Sequence, residues 1–499
     1  MFEALINEWA HFPTLLASLA TSPMIWLVTF LGVLFGYVIG VLPGLGATMG
    51  MAMMFGIINR IPPEWSIALL MSILISSLCS GGITSILINI PGTPAAAATV
   101  LDGHPLFKQG RGREAVGASV YASAIGTATA LLVVSIIQPF MFTIALRMGD
   151  WEVFLFCVFG VLICGALAGN SILKGMAAGI LGLLFAMVGL EEMQGVRRFT
   201  FGMSGMLIGI PEVSALLGLF GLSEVFINVH RNTKISKESM DGVGWLIFPV
   251  KVLKDNIKNL IRSLLAGLWV GIIPGIGESA ACWFGYDIAK RNSKNKELFG
   301  KGSFEGVIAA ESASNVSSVG ALIPSLALGI PGSATSGILI AALFLIGYRP
   351  GPSMLSQSPG IIVTFAILGW MAVIMSVIVA FMMSKAVIKL FTIPINYLMP
   401  IVAVFCIIGA WGTGFTKHHI VVLLVFGIIG FLMKLRGFPV APMVLGLLIG
   451  RVFDLTFRRA LVTYALDPFA MFMRPFGLAV TIVLILVFIF SLKSASRSA

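Results

Sequence analysis

Long apolar segments, separated by short polar or basic loops, run along almost the whole chain. Runs of about 20 mostly apolar residues are long enough to cross the hydrocarbon core of a bilayer as α-helices. The pattern therefore predicts an all-α polytopic membrane protein with roughly 10–12 membrane spans. The predicted apolar segments are 23–59, 67–101, 115–145, 151–169, 172–190, 206–228, 259–289, 304–347, 361–392, 395–412, 418–433, 440–461 and 469–491.

Four of these segments are interrupted by a Pro-Gly pair. The Gly-x-x-x-Gly-x-x-Pro-Gly-x-Gly phrase at 36–46 returns at 267–277 in the same register, and further breaks follow at 91–92 and 331–332. Pro removes a backbone donor and Gly disfavours a helix, so each break is expected to unwind its helix at membrane depth. Because lipid cannot satisfy the freed backbone groups, the breaks are expected inside protein or beside a polar cavity. Paired breaks of this kind indicate a transporter's binding site.

The order of segment lengths and breaks in the first half recurs in the second, which predicts two repeats. Even the long third segment, 115–145, has a long counterpart at 361–392. The predicted divisions are a first repeat at 1–228, a basic cytoplasmic linker at 229–258, a second repeat at 259–461, and an extra C-terminal span with its tail at 462–499.

The basic loops predict that the two repeats are inverted relative to each other. Loop 102–114 carries three Lys or Arg residues and its counterpart 348–360 carries one, while loop 290–303 carries five and its counterpart 60–66 carries one. Lys and Arg accumulate in cytoplasmic loops, so the two loops of each pair lie on opposite sides of the membrane. This places the N-terminus in the periplasm and the C-terminus in the cytoplasm, in an inverted repeat typical of transporters.

Segment 259–289 has basic loops on both sides, so it must return to the side it left as a re-entrant hairpin that turns near its break. By symmetry, 23–59 is predicted to be a hairpin that enters from the periplasm. Inverted hairpins suggest a mobile core that carries the site past a scaffold, as in elevator-type carriers. Elevator motion is therefore the mechanistic hypothesis.

Composition excludes several other functions. Hydrophobic residues make up 58% of the chain and charged residues 11%, and the net charge of +11 lies in loops, where it orients a membrane protein rather than binding nucleic acid. The five cysteines are scattered without a Cys-x-x-Cys pair, so neither a zinc site nor a redox pair is predicted. No Walker A motif and no nucleophile–base pair is legible, so the chain is not predicted to be an enzyme.

Small and polar residues surround the four breaks. Half-helix N-termini there offer free N–H groups and the positive end of a helix dipole, which suit a carboxylate, although no Lys or Arg lies close to them in sequence. Helix packing through small residues is the competing explanation for any single Ser or Gly. The residues predicted to bind the substrate are Gly44, Gly46, Thr48, Asn89, Gly92, Thr93, Gly275, Gly277, Ser279, Gly332, Ser333 and Thr335.

Other polar residues, including two intramembrane acids, are predicted to bind the coupling cation. Hydroxyl, amide and carboxylate oxygens suit a small hard cation, and ionisable groups at membrane depth are usually functional. The alternative for the acids is a structural ion pair with Arg451, Arg458 or Arg459. The predicted residues are Ser77, Ser85, Glu278, Glu311, Asn315, Ser317 and Ser318.

The sequence resembles a known family in three phrases. They are the repeated glycine phrase, the run 90–95 with the following 102–106, and the run 327–333. Occurring together and in this order, these phrases resemble the large membrane subunit of the tripartite tricarboxylate transporters, over essentially the whole chain.

The resemblance implies a carrier of the bacterial inner membrane that works with a small membrane subunit and a periplasmic solute-binding protein. It implies uptake of carboxylates, such as citrate, dicarboxylates or aromatic acids, driven by a sodium or proton gradient. No cofactor is expected besides that sodium ion or proton, and no metal beyond sodium. The competing hypothesis is an ion channel whose Pro-Gly breaks form a selectivity filter; saturable counterflow would separate the two.

Overall fold

The computed structural model describes residues 2–42, 45–167, 172–231, 247–384 and 395–464, together with 386, 467, 477–478 and 481–482. Pro43 and Gly44, the middle of the predicted linker and almost all of the predicted span 469–491 therefore lie outside the described residues. Within the described ranges, the fold is almost entirely helical.

The first half begins with two short helices and contains the longest helix of the described chain, α8. Its helices are α1 (Phe2–Trp9), α2 (Phe12–Ala20), α3 (Pro23–Val41), α4 (Ala47–Met53), α5 (Phe55–Ile58), α6 (Pro63–Ile88), α7 (Thr99–Leu106), α8 (Gly112–Ala145), α9 (Asp150–Leu167), α10 (Ile172–Ala186), α11 (Glu212–Leu216) and α12 (Ser223–Arg231). A 3-10 turn at Pro94–Ala96 follows the second break, and two short strands, β1 (Gly189–Leu190) and β2 (Arg197–Arg198), pair antiparallel.

The second half follows a similar course. Its helices are α13 (Val250–Asp255), α14 (Ile257–Ile272), α15 (Gly277–Asn292), α16 (Phe304–Gly320), α17 (Leu322–Leu328), α18 (Ala334–Leu345), α19 (Met354–Gln357), α20 (Ile361–Met383), α21 (Ile395–Gly414), α22 (Lys417–Leu435) and α23 (Val440–Thr463).

Eight helical runs among the described residues are long and apolar enough to cross a membrane, and further apolar helices of 10–17 residues accompany them. The prediction of an all-α polytopic membrane protein is confirmed. Helix α20, which begins the predicted segment 361–392, ends at Met383, and residues 387–394 lie outside the described residues.

The helices α6 and α16 occupy the centre of the fold and are buried along their whole apolar length. Helices α3, α8 and α20 pack around α6, while α8, α14 and α15 pack around α16. Both central helices are rich in serine, so the interior of this protein is lined by hydroxyl groups as well as by aliphatic side chains.

The backbone takes the same conformation at equivalent positions of the first and third breaks. Leu42 and Ile273 end α3 and α14 in extended conformation, with ψ angles of 116° and 118°. Gly46 and Gly277, which precede or begin the next helix, have positive φ angles of 58° and 71°. A side chain is disfavoured in this left-handed region, so the glycines of the repeated phrase are needed for the turn itself.

The second and fourth breaks also match each other. Asn89 and Gly329 close α6 and α17 in left-handed conformation, with φ angles of 58° and 69°. Each lies two residues before the proline of its break, Pro91 or Pro331. A left-handed residue is a common way to end a helix, and here it directs the chain into the break in both halves.

Glycines bring the helix before each hairpin break close to a central helix. A β-carbon on Gly40 of α3 would overlap the Ser77 carbonyl of α6, and one on Gly271 of α14 would approach the Ser317 carbonyl of α16 to 2.5 Å. The same two sequence positions thus make the same backbone contact in both halves. This packing role for the glycines exists alongside their role in the turns.

The segments after the first and third breaks differ in length and packing. Helix α15 packs along α14 across the third break, in the arrangement expected of a hairpin. After the first break the chain forms the shorter helices α4 and α5, and α4 packs against α6 and α18 as well as α3.

Candidate functional site

The helices that follow the four breaks pack against one another across the two halves. Helix α4, after the first break, packs on α18, after the fourth; the turn Pro94–Ala96, after the second break, packs on α15, after the third. The Gly275 N–H donates a hydrogen bond of 3.0 Å to the Gly332 carbonyl and so joins the third and fourth breaks. The breaks therefore converge on one region of the protein interior.

Glu278 lies in this region, in the first turn of α15. Its Oε1 accepts a hydrogen bond of 3.1 Å from the Thr335 hydroxyl, which lies 2.8 Å from Ser333 Oγ. Ser333 in turn caps α18 by accepting a hydrogen bond from the Ser336 N–H. Glu278 Oε2 is buried and has no hydrogen-bond partner. A carboxylate at these helix N-termini is stabilised by the helix dipoles, and its free oxygen can serve as a cation ligand.

The equivalent position in the first half carries no charge. Ala47 stands where the second half has Glu278, and Thr93 stands where it has Ser333. The Thr93 side chain is buried over Gly81, and its hydroxyl has no hydrogen-bond partner. The first half therefore offers an unpaired hydroxyl without an accompanying carboxylate.

Three neighbouring residues of α16 also carry unpaired buried oxygens. Asn315 Nδ2 donates to the Glu311 carbonyl at 2.9 Å, which leaves its Oδ1 without a partner, and the hydroxyls of Ser317 and Ser318 have none. Buried polar groups are nearly always hydrogen-bonded, so unpaired ones mark a place for water or a ligand. Unpaired buried oxygens also occur elsewhere in the described core, for example at Ser72, Gln138 and Asp102 Oδ2; those of Glu278 and Thr93 are the ones beside the breaks.

Glu311 is fully buried, also on α16, and its partners come from the first half of the chain. Its Oε1 accepts a hydrogen bond of 2.6 Å from Thr99, and its Oε2 accepts one of 2.9 Å from Ser123. The hydroxyl of Ser119 lies beside the carboxyl group without a partner of its own. Thr99, Ser119 and Ser123 were not predicted, because nothing local in the sequence connects them with Glu311.

The structure does not support the ion-pair alternative for the two acids. Among the described residues, neither Glu278 nor Glu311 has a basic partner. Arg451 instead lies 3.8 Å from Glu212, and Arg458 pairs with Asp454 at 3.0 Å. No group of three His, Cys, Asp or Glu side chains in the described ranges could hold a metal ion.

The remaining predicted residues differ in burial. Gly46, Gly92, Gly275, Gly277 and Gly332 are buried at the turns of the breaks. Their shared burial places a glycine at or beside each of the four breaks in the interior. Gly44 lies outside the described residues.

The polar residues nearest the breaks are not all buried. Thr48 is half-buried, whereas Asn89 and Ser279 are exposed. The buried hydroxyls of Ser77 and Ser85 donate to backbone carbonyls, those of Leu74 at 3.3 Å and Ala96 at 2.9 Å respectively. The Ser85 bond ties α6 to the turn after the second break.

An open cavity of about 470 Å³ lies beside the second break and is lined by Asn89, His104 and Lys108, among others. Lys108 lies 16 residues after Gly92, so the sequence alone did not place a basic residue near the second break. The structure places its side chain along the same cavity as Asn89.

A profile of the tripartite tricarboxylate transporter TctA family matches residues 26–445, a range that includes all four breaks and both buried acids. The chain belongs to the tripartite tricarboxylate transporter TctA family. Membership places it among transporters rather than enzymes and implies further subunits. The resemblance inferred from the three phrases is confirmed.

Two relatives of this TctA-family chain come from Agrobacterium vitis. An uncharacterized 52.8 kDa protein in the TAR-I ttuC′ 3′ region is 32% identical over 478 residues, which cover 94% of this chain and 94% of the relative. An uncharacterized protein in the TAR-II ttuC′ 3′ region is 29% identical over 227 residues, covering 44% of this chain and 94% of that relative. No solved structure matches this TctA chain.

The phrase at 102–106 of this TctA protein contributes a residue that the site prediction missed. Asp102 Oδ1 accepts hydrogen bonds from the N–H groups of Gly300, Gly302 and Ser303, at 2.8, 3.0 and 2.9 Å. These groups belong to the loop before α16, so Asp102 of the first half fastens a loop of the second. Asp102 could have been predicted as important from the sequence, because it lies in one of the three phrases on which the family resemblance rests.

We expect Asp102→Ala to release this loop. Hydrogen bonds to a charged group contribute about 1.5–3 kcal/mol each, so local opening should become at least about tenfold more frequent. Trypsin should then cut at Lys296 and Lys301 at least about tenfold faster than in the wild type in mild detergent. Asp287→Ala is the control, because Asp287 pairs with Arg291 on an exposed face. Equal cleavage rates in the two variants would mean that Asp102 does not hold the loop.

Proposed function

We propose that this chain is the large transmembrane subunit of a carrier that imports carboxylates across the bacterial inner membrane. In this proposal it works with a small membrane subunit and a periplasmic solute-binding protein, and a sodium or proton gradient drives uptake. The observation that carries the proposal is the convergence of four broken helices on buried oxygens that lack partners, including Glu278 Oε2 and Thr93 Oγ1. Broken helices of this kind form solute and ion sites in secondary transporters.

The proposed solute site lies between the third and fourth breaks of the second half and the second break of the first. The solute carboxylate would accept hydrogen bonds from the hydroxyls of Thr93, Ser333 and Thr335 and from backbone N–H groups at the breaks. Glu278 would repel such a solute unless a cation joined them. A cation bound to Glu278 Oε2 would therefore make solute binding depend on that cation.

We further propose that the two halves form an inverted repeat with elevator-like motion, with the N-terminus in the periplasm and the C-terminus in the cytoplasm. The unequal basic loops support inversion. The packing of α4 on α18 and of the Pro94–Ala96 turn on α15 supports a two-fold relation, because exchanging the halves exchanges these two contacts.

Uptake into proteoliposomes tests the proposed function. The chain would be reconstituted with its small subunit and the binding protein, and supplied with labelled citrate, malate and benzoate. Saturable accumulation that requires both the binding protein and an inward sodium or proton gradient is the expected result. Rapid flux that neither saturates nor needs the binding protein would overturn the proposal in favour of a channel.

A further inference from the structure

The carboxyl group of Glu311 is a second buried acid, and the solute site just proposed does not use it. It lies on α16 of the second half, and its hydrogen-bond donors, Thr99 of α7 and Ser123 of α8, belong to the first half. An ionised carboxylate without a counter-charge costs several kcal/mol of desolvation. A fully buried acid whose described partners are all hydroxyls therefore needs either a bound cation or a proton.

We propose that Glu311 binds the proton whose movement down its gradient drives uptake. This inference rests on the proposed function, which it extends by naming the coupling ion and the group that carries it. In one half of the cycle ionised Glu311 takes a proton from water on the outer side, forming an O–H bond. In the other half that bond breaks and the proton leaves to water on the inner side, so the carboxylate is restored.

The distances at Glu311 favour a proton over a sodium ion. The Thr99 and Ser123 hydroxyl oxygens lie 2.6 and 2.9 Å from the carboxyl oxygens, which are hydrogen-bond distances. If two oxygens both bound one cation, each about 2.3–2.6 Å from it, the oxygens would usually lie farther from each other than about 2.6–2.9 Å. Hard cations also usually take about six ligands. The backbone of Gly82 in α6 also packs directly on the carboxyl group, because a β-carbon there would overlap both Glu311 Oε1 and Ser119 Oγ. This packing leaves no room on that side for further cation ligands.

Both protonation states of Glu311 can be satisfied by the same neighbours. The ionised carboxylate accepts from Thr99 and Ser123, and the unpaired hydroxyl of Ser119 can add a third donor. The protonated carboxyl group has one O–H to donate, and Ser119 Oγ is then available as its acceptor. Because the Ser119 hydroxyl can either donate or accept, the proton can bind and leave without leaving a buried polar atom of Glu311 without a hydrogen-bond partner.

The other titratable groups near Glu311 do not offer it a counter-charge. The groups on α6 and α15 that interact with it electrostatically are the thiols of Cys79 and Cys282. Farther along α16, Asp102 of α7 and Tyr286 of α15 lie against Gly306, while Nδ1 of His104 on α7 lies 3.1 Å from the Ile86 carbonyl of α6.

The remaining elements packed against α16 bring no cation to Glu311 either. On α8, Glu114 is paired with Arg111, Arg113 follows the helix start directly before it, and the ring of Tyr121 packs edge to face with that of Phe248. The basic residues of α14, Lys258 and Arg262, are exposed. The turn Pro94–Ala96 and α17 contain no titratable side chain.

Two adjacent glycines connect this proton site with the solute site. Gly82 packs against the Glu311 carboxyl group, while Gly81 packs against Thr93 and accepts a hydrogen bond from the Gly92 N–H at 3.3 Å. Neutralising Glu311 changes how tightly α6, α7 and α8 are held to α16. Gly81 contacts the second break directly, next to Gly82 in α6. A change at Glu311 can therefore reach the proposed solute site through these two residues.

The test separates exchange from accumulation in proteoliposomes with the small subunit and binding protein. Labelled citrate, malate and benzoate are supplied with equal sodium concentrations on both sides of the membrane and an inward gradient of about one pH unit, about tenfold in proton activity, and lumenal pH is followed by a trapped dye. The wild type should accumulate a solute and acidify the lumen. Glu311→Gln should retain solute exchange within about twofold but lose at least about tenfold of the accumulation, since a neutral amide mimics the protonated acid.

The control variant is Glu305→Gln, the same change in the first turn of α16, which should behave like the wild type. The inference is overturned if the wild type accumulates solute only with an inward sodium gradient and without proton entry, a result that needs no variant to fold. It is also overturned if Glu311→Gln still accumulates solute with the pH gradient. Absence of solute exchange in the wild type would instead refute the proposed function.

Discussion

We expect Gly277→Val to abolish uptake while the protein still inserts in the membrane. Gly277 has a φ of 71°, a conformation that a β-branched residue adopts only with strain, and a β-carbon there would lie 3.0 Å from Ser333 Cβ. The added side chain would push the start of α15 away from the cap of α18, where Glu278 and Thr335 meet. Misplacement by about 1 Å at such a site costs about a hundredfold in rate.

The matched control for this change is Gly195→Val. Gly195 has a φ of 67°, nearly that of Gly277, but lies between the two short strands, and a β-carbon there would have no neighbour within 4 Å. Both variants carry similar backbone strain, so uptake by Gly195→Val should stay within about twofold of the wild type. Equal loss of uptake in the two variants would attribute the effect to general strain and remove Gly277 from the site.

The second large effect is expected for Glu278→Gln, which should lower both solute exchange and gradient-driven accumulation by about a hundredfold. The buried Oε2 of Glu278 is the free anionic ligand of the proposed solute site, and an amide is a much weaker cation ligand than a carboxylate. Loss of exchange distinguishes this variant from Glu311→Gln, for which exchange is expected to persist. The comparison requires equal amounts of each protein in the vesicles.

Glu224→Gln is the control for removal of an acid. Glu224 also lies in a helical span, but it forms an ion pair with Lys434, and both side chains are partly exposed. A glutamine there can still accept a hydrogen bond from Lys434, so uptake should be nearly unchanged. If Glu278→Gln transported as well as Glu224→Gln, the unpaired carboxylate would have no part in transport.

The sequence predicted the breaks well because Pro and Gly act locally. As predicted, the helices are interrupted at the breaks: Gly46 and Gly277 take left-handed conformations, and Asn89 and Gly329 end their helices two residues before a proline. Each of these features depends on the backbone freedom of one or two residues, so a pattern in the sequence is sufficient to place it.

The partners of the buried acids could not be predicted in the same way. Thr99 and Glu311 are 212 residues apart, and Asp102 binds N–H groups about 200 residues downstream. Such contacts arise from the packing of helices, which periodicity does not specify. The similar sequence pattern of the two halves also did not predict a difference between them. Helices α4 and α5 together are shorter than α15 and pack on different helices.

Substrate protection of introduced cysteines tests most directly whether the solute binds where the breaks converge. Thr93→Cys and Thr335→Cys would be made separately in a variant that lacks the five native cysteines, with exposed Asn295→Cys as the control. We expect the transported carboxylate to slow alkylation of both buried positions at least about fivefold and to leave the control unchanged, since a bound ligand excludes the reagent. Unchanged alkylation of both positions at saturating solute, in variants that still transport, would contradict the proposed site.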